Sequence, residues 1–176
     1  YGTLSNDGSI AVTAKAMGSG ETGLNVAAYG IWGENIGADA SVSNDGEITV
    51  TATADGEASS GSIQLTSYGI KLVDINGTLS NDGSIAVTAK AMGSGKSGLN
   101  VATYGIAVGD IAANASVSND GEITVTATAD GTASDGAINV TANGMVSGAV
   151  SGALSNSGSI AVNATAKGSG LNGVYA

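Results

Sequence analysis

Leu4 to Gly20 reads LSNDGSIAVTAKAMGSG, and Leu79 to Gly95 reads the same seventeen letters again. A second phrase, ASVSNDGEITVTATADG from Ala40 to Gly56, recurs unchanged from Ala115 to Gly131, so a 75-residue block is present twice. Both phrases centre on Ser-Asn-x-Gly-x-Ile-x-Val. The apolar residue before that motif falls at Leu4, Val42, Leu79, Val117 and Leu154, at intervals of 38, 37, 38 and 37 residues. The structural unit is therefore half the block, and repetition at this period marks a solenoid or array. The units run approximately 4-41, 42-78, 79-116, 117-153 and 154-176, the last one partial, in the order A, B, A, B, A. They form one continuous segment over residues 1-176. Tyr1-Gly2-Thr3 stands where Asn76-Gly77-Thr78 stands one block later, so the chain reads as a piece of something longer.

Composition narrows the class. Twenty-nine glycines, no proline, no phenylalanine and many Ala, Ser, Thr and Val describe narrow strands and tight turns rather than a core of large side chains. Glycine recurs too often for long helices, and no run of apolar residues is long enough for a membrane-spanning helix. Fifteen acidic groups stand against five lysines, for a net charge of −10, which makes nucleic acid and anionic lipid poor partners. Cysteine is absent, which removes disulfides and thiolate metal sites and is compatible with a secreted bacterial protein.

Alternation carries the strand signal. Ile10, Val12, Ala14 and Ala16 fall on one face and Ser9, Ala11, Thr13 and Lys15 on the other. The B unit repeats the rule, with Ile48, Val50, Ala52 and Ala54 inward and Glu47, Thr49, Thr51 and Thr53 outward. After a glycine-rich loop comes a second strand, with inward pairs Leu24/Val26, Ile63/Leu65, Leu99/Val101 and Ile138/Val140. Each pair runs into a Tyr-Gly-Ile or Asn-Gly-Met corner, where glycine is expected to supply a positive φ. A third apolar column, Ile36, Ile75, Ile111 and Val150, leads to the next unit.

One unit of this length buries almost nothing alone, but stacked units bury a continuous column. The expected fold is all-β: a parallel β-solenoid (β-helix), three-sided, of about five coils with one unit per coil. At about 4.8 Å per coil its length is roughly 22 Å, against about 45 Å if each unit made two coils.

The turns carry the most regular polar residues. Asn6, Asn44, Asn81, Asn119 and Asn156 are placed to stack as a structural amide ladder, with the glycine two residues on relaxing the turn. Asp7, Asp45, Asp82 and Asp120 form an adjacent column, broken by Ser157. They are candidate ligands for calcium, whose oxygen preference they suit, although solvated turn carboxylates fit the same pattern and the calcium nonapeptide spacing is absent. Thr13, Thr51, Thr88 and Thr126 form an outward hydroxyl column of the kind ice-binding solenoids display, interrupted beside it by Ala11, Lys15, Ala86 and Lys90. The varied column Trp32, Lys71, Ala107 and Val146 reads as exposed. Tyr29, Tyr68 and Tyr104 make an aromatic column suited to stacking along the axis or to carbohydrate contact. Four glycosylation sequons, at Asn76, Asn114, Asn139 and Asn163, are expected by chance in so Asn- and Thr-rich a chain.

No catalytic residues and no cofactor are assigned. Histidine, cysteine and arginine are absent, and acids that recur in every copy describe a lattice rather than a unique catalytic pair.

The recurring Ser-Asn-Asp-Gly-Ser-Ile-Ala-Val of Ser5 to Val12, its B form at Ser43 to Val50, the following Ala-x-Ala and the Tyr-Gly-Ile corner resemble the repeats of Gram-negative autotransporter passengers and related giant surface adhesins. The resemblance covers the whole chain and implies a β-solenoid exported to the cell surface. The expected function is that of a structural or adhesive extracellular fibre segment, at the surface or in a secreted matrix. Its expected partners are copies of itself or neighbouring fibres, surface glycans, and host or abiotic surfaces. The alternative is a self-assembling filament of short subunits stacked end to end, and the third reading is a binding module for calcium, glycan or ice.

Overall fold

The computed structural model describes residues 2–176. Every coil contributes one strand to each of three sheets, and every strand pairing is parallel and in register. The first sheet is short: Gly2–Asn6, Ala40–Asn44, Thr78–Asn81, Ser116–Asn119 and Ala153–Asn156. The second is long and regular: Ser9–Gly20, Glu47–Ala58, Ser84–Gly95, Glu122–Ala133 and Ser159–Gly170. The third comprises Gly23–Ile36, Ser62–Ile75, Gly98–Val108, Ala137–Val146 and Val174–Tyr175. Five units and five strands per sheet mean one coil per unit, which settles the length near 22 Å rather than 45 Å. Tyr1, which the repeat sets opposite Asn76, lies outside the described residues. No helix among those residues is long and apolar enough to cross a membrane.

The alternation read from the sequence sets the core. Leu4, Val42, Leu79, Val117 and Leu154 pair coil over coil, and the second sheet stacks Ile on Ile, Val on Val and Ala on Ala. Ile48, Ile85 and Ile123 are essentially inaccessible, as are Ile63, Leu99 and Ile138 of the third sheet. Burying each such side chain is worth about 1.5–3 kcal/mol. One coil could not achieve that burial: Ile160 and Val162, covered by a second-sheet strand on one side only, are 38% and 47% exposed. Ile75 and Ile111 continue the third apolar column through isolated bridges, Ile75 to Ile111 and Ile111 to Val150.

Glycine acts differently from the expectation at two places. At the Tyr-Gly-Ile corner no positive φ occurs. A Cβ at Gly30, Gly69 or Gly105 would instead collide with the Cγ2 of Ile48, Ile85 or Ile123 across the core. The strand also changes facing there: Ile63, Leu65 and Ser67 point inward, and so do Ile70 and Leu72. Glycine lets the backbone turn inward where a side chain has no room. At the Asn-x-Gly turn the correction is similar, since Gly46, Gly83, Gly121 and Gly158 lie directly over the backbone of the preceding coil, where any Cβ would overlap a carbonyl oxygen. Positive φ is found where the second-sheet strands end and the third-sheet strands begin, for example 110° at Gly93 and 139° at Gly98.

The core also holds a polar pair, one alternation step beyond the inward pairs Ile63/Leu65 and Leu99/Val101. Ser67 and Thr103 are both fully buried in one inward column, and the Ser67 hydroxyl donates to Thr103 Oγ1 at 3.4 Å.

Candidate functional site

The turn after the first sheet is built by its asparagines. Asn6 Nδ2 donates to Asn44 Oδ1 at 2.7 Å, Asn44 to Asn81 at 2.6 Å, Asn81 to Asn119 at 2.5 Å, and Asn119 to Asn156 at 2.6 Å. The amides of Asn44, Asn81, Asn119 and Asn156 also donate to a carbonyl of their own turn, as from Asn44 to Gly46 and from Asn119 to Gly121, whereas that of Asn6 reaches Glu47 O on the next coil. Asn44, Asn81 and Asn119 are inaccessible to solvent, yet among the described residues no buried side-chain nitrogen or oxygen lacks a partner. The turn backbone follows the same ladder, with the N–H groups of Asp45 and Gly46 both donating to Asn6 O at 2.9 Å.

Asp7, Asp45, Asp82 and Asp120 point away from this ladder into solvent. Asp7 accepts from the Ser5 hydroxyl at 2.9 Å, and Asp120 accepts from the hydroxyl of Ser157. No group of three or more potential metal ligands comes together among the described residues. A second acidic column, unremarked in the sequence, does bind across coils. Asp74 Oδ1 accepts from the Asp110 N–H at 3.1 Å, and Asp110 Oδ1 accepts from the Ala149 N–H at 2.8 Å. These carboxylates supplement the backbone hydrogen bonds between coils where the third sheet ends.

Thr13, Thr51, Thr88 and Thr126 line up in register on the outside of the second sheet, with Asn163 at the end. Beside them, Thr49 and Thr124 donate to Glu47 and Glu122, so part of the hydroxyl row is committed to carboxylates. The only ion pair among the described residues, Lys96 to Asp135 at 3.6 Å, is exposed and adds little.

The outward face of the third sheet is the most chemically distinctive surface. One column is Asn25, Gln64, Asn100 and Asn139; the next is Ala27, Thr66, Ala102 and Thr141; the third is Tyr29, Tyr68, Tyr104 and Asn143. The tyrosine rings stack nearly parallel, with centroids 5.3 Å apart from Tyr29 to Tyr68 and 4.8 Å from Tyr68 to Tyr104. Coil spacing imposes that geometry, and the rings cover one another's faces while their edges and hydroxyls face outward. Lys71 Nζ lies 5.5 Å from the Tyr68 ring centroid, within cation–π range. Beyond the glycine bend, Trp32 is 59% exposed, whereas Ala107 in the same column is buried, so that column is only partly open.

Burial first, and then the neighbouring phenols of Tyr104 and Tyr29, raise the pKa of Tyr68 above its ordinary value of 10.0. The neutral phenol is the form the fold favours. Its contribution to stability is therefore complete below pH 10.0 and is lost as the pH rises through the higher folded value. Thermal melts at neutral pH and above pH 10.0 are expected to show an alkaline loss of stability that is smaller in Tyr68→Phe than in the parent chain. Identical alkaline losses in the two proteins would contradict that assignment.

No protein-family model, curated protein or solved structure matches this chain.

Proposed function

We propose that the chain is a stalk segment of a repetitive extracellular fibre of a bacterial surface or matrix, similar in kind to autotransporter and giant adhesin passengers. Its task on this reading is mechanical and adhesive. Stacked backbone hydrogen bonds supply stiffness, and outer columns repeated every coil supply many weak identical contacts that add as avidity.

The observation that carries the reading is the asparagine ladder, which runs through A-to-B and B-to-A junctions alike with every inner amide satisfied. A solenoid whose two kinds of junction are equivalent can be lengthened by copying the block, with no new junction chemistry. Such lengthening suits a stalk. A structure that worked through one unique centre would gain nothing from it.

Concatemers of one, two and four 75-residue blocks test the proposal. Small-angle scattering is expected to show rods that lengthen by about 10 Å per block, and cells displaying them should resist detachment under flow more strongly as blocks are added. Rods that fail to lengthen, or retention independent of block number, would contradict it. Lengthening of a single segment with concentration would favour the end-to-end filament instead.

A further inference from the structure

Along the amide column and the small-residue column beside it runs a shallow groove of about 300 Å³, open along three coils and lined chiefly by Gln64, Thr66, Asn100, Ala102, Asn139 and Thr141. Small residues at Thr66, Ala102 and Thr141, next to the longer amides, leave the space. No ionisable side chain lines it, although the chain carries a net charge of −10. Part of its hydrogen-bonding capacity is spent internally: Gln64 Nε2 donates to Ser62 Oγ at 2.8 Å, and Asn139 Nδ2 to Asn100 Oδ1 at 2.9 Å. That leaves Gln64 Oε1, Asn100 Nδ2 and Asn139 Oδ1 without partners among the described residues, together with the hydroxyls of Thr66 and Thr141. Acceptor, donor and acceptor thus follow one another in steps of about 4.8 Å, so the pattern repeats every two coils, about 9.6 Å.

Three occupants can be compared. A polyanion finds no cation in the groove and is repelled by the acidic molecule around it. An extended peptide binds sheets by adding at an edge, and the backbone groups across this face are already paired within the sheet. A neutral polyol needs only interspersed donors and acceptors, which are present. Among polyols, a straight chain of equatorially linked hexoses advances per sugar by nearly the rise of one coil and turns every second sugar over, so its two-sugar repeat matches the two-coil repeat of the groove.

We propose that this groove binds an extended, neutral, β-linked hexose polysaccharide lying parallel to the solenoid axis, about one sugar per coil. The inference rests on the adhesive part of the function proposed above and names the ligand class. The tyrosine column, two positions further along the same outward face, offers hydroxyl edges rather than ring faces, so recognition is by hydrogen bonds and each contact is weak. Affinity then grows with the number of coils engaged.

Cellohexaose, titrated into the isotope-labelled segment and followed through the side-chain amides, tests this. Saturable shifts are expected at Gln64, Asn100 and Asn139, with a Kd on the order of 1 mM, and no comparable shifts with the helical maltohexaose. Ala102→Leu fills the groove from an outward position and should weaken binding at least about tenfold with an unchanged melting temperature. Should that variant melt early, the double variant Thr66→Val with Thr141→Val takes its place, with the same expectation. Absence of a saturable shift with cellohexaose, equal response to maltohexaose, or undiminished binding by the groove variants would overturn the assignment. Those results would leave the lengthening of concatemer rods untouched, so failure of the groove and failure of the stalk are told apart.

Discussion

Val87→Asp is expected to leave the segment without a cooperative folding transition. Val87 is 1% exposed and stands between Val50 and Val125 in a column with no polar partner on the inner face of the second sheet. An ionised carboxylate there faces a penalty of several kcal/mol even after relaxation, and protonation to escape it carries its own cost. Domains of this size hold about 5–15 kcal/mol in total. The damage also spreads, because the third coil joins the two on either side of it. Thr88→Asp, one residue on and facing water, is the control and should fold with a melting temperature close to that of the parent. Far-ultraviolet circular dichroism with thermal melting reads both. A folded Val87→Asp beside an unfolded Thr88→Asp would invert the facing of the whole sheet.

Asn81→Leu is the second large effect. The substitution leaves Asn44 Nδ2 without its acceptor and Asn119 Oδ1 without its donor, both inside a dry core. Each orphaned group costs about 1–3 kcal/mol, so a loss of about 2–6 kcal/mol is expected. At about 2–4 °C per kcal/mol for a chain of this length, the melting temperature should fall by roughly 5–20 °C. Thr88→Ser, on the outside, should stay within about 0.5 kcal/mol of the parent. Equal melting temperatures for the two variants would remove the ladder from any structural role.

What the sequence makes legible here follows from what periodicity can express. Two-residue alternation assigns faces, and exact recurrence assigns register, so the Ile, Val and Ala columns of the second sheet can be written down from the letters. The asparagine column emerges by the same spacing. Periodicity is silent about the distance between walls. Gly69 looks like a turn residue, and only the position of the Ile85 methyl shows that it is there for want of space. Ser67 and Thr103 read as small polar strand residues, although the alternation through Ile63 and Leu65, and through Leu99 and Val101, carries them into the core just before the glycine. Asp74 and Asp110 escape notice because their partners are backbone N–H groups one coil away, which no side-chain motif encodes. The groove is likewise a relation between two neighbouring columns over three coils, small residues beside longer amides, and no single unit contains it.

A chain without cysteine permits one direct measurement of the stacking itself. Thr51 and Thr88 are register partners on the outer face of adjacent coils, while Thr13 and Thr88 stand two coils apart in the same column. Adjacent parallel strands lie about 4.8 Å apart, inside the Cα separation of about 4.4–6.8 Å that a disulfide tolerates, and a two-coil gap lies outside it. On mild oxidation, the Thr51→Cys/Thr88→Cys variant is expected to form an intramolecular disulfide rapidly and nearly completely, and the Thr13→Cys/Thr88→Cys variant is expected to remain reduced. Cross-linking in the second variant but not the first would contradict a parallel solenoid with one unit per coil.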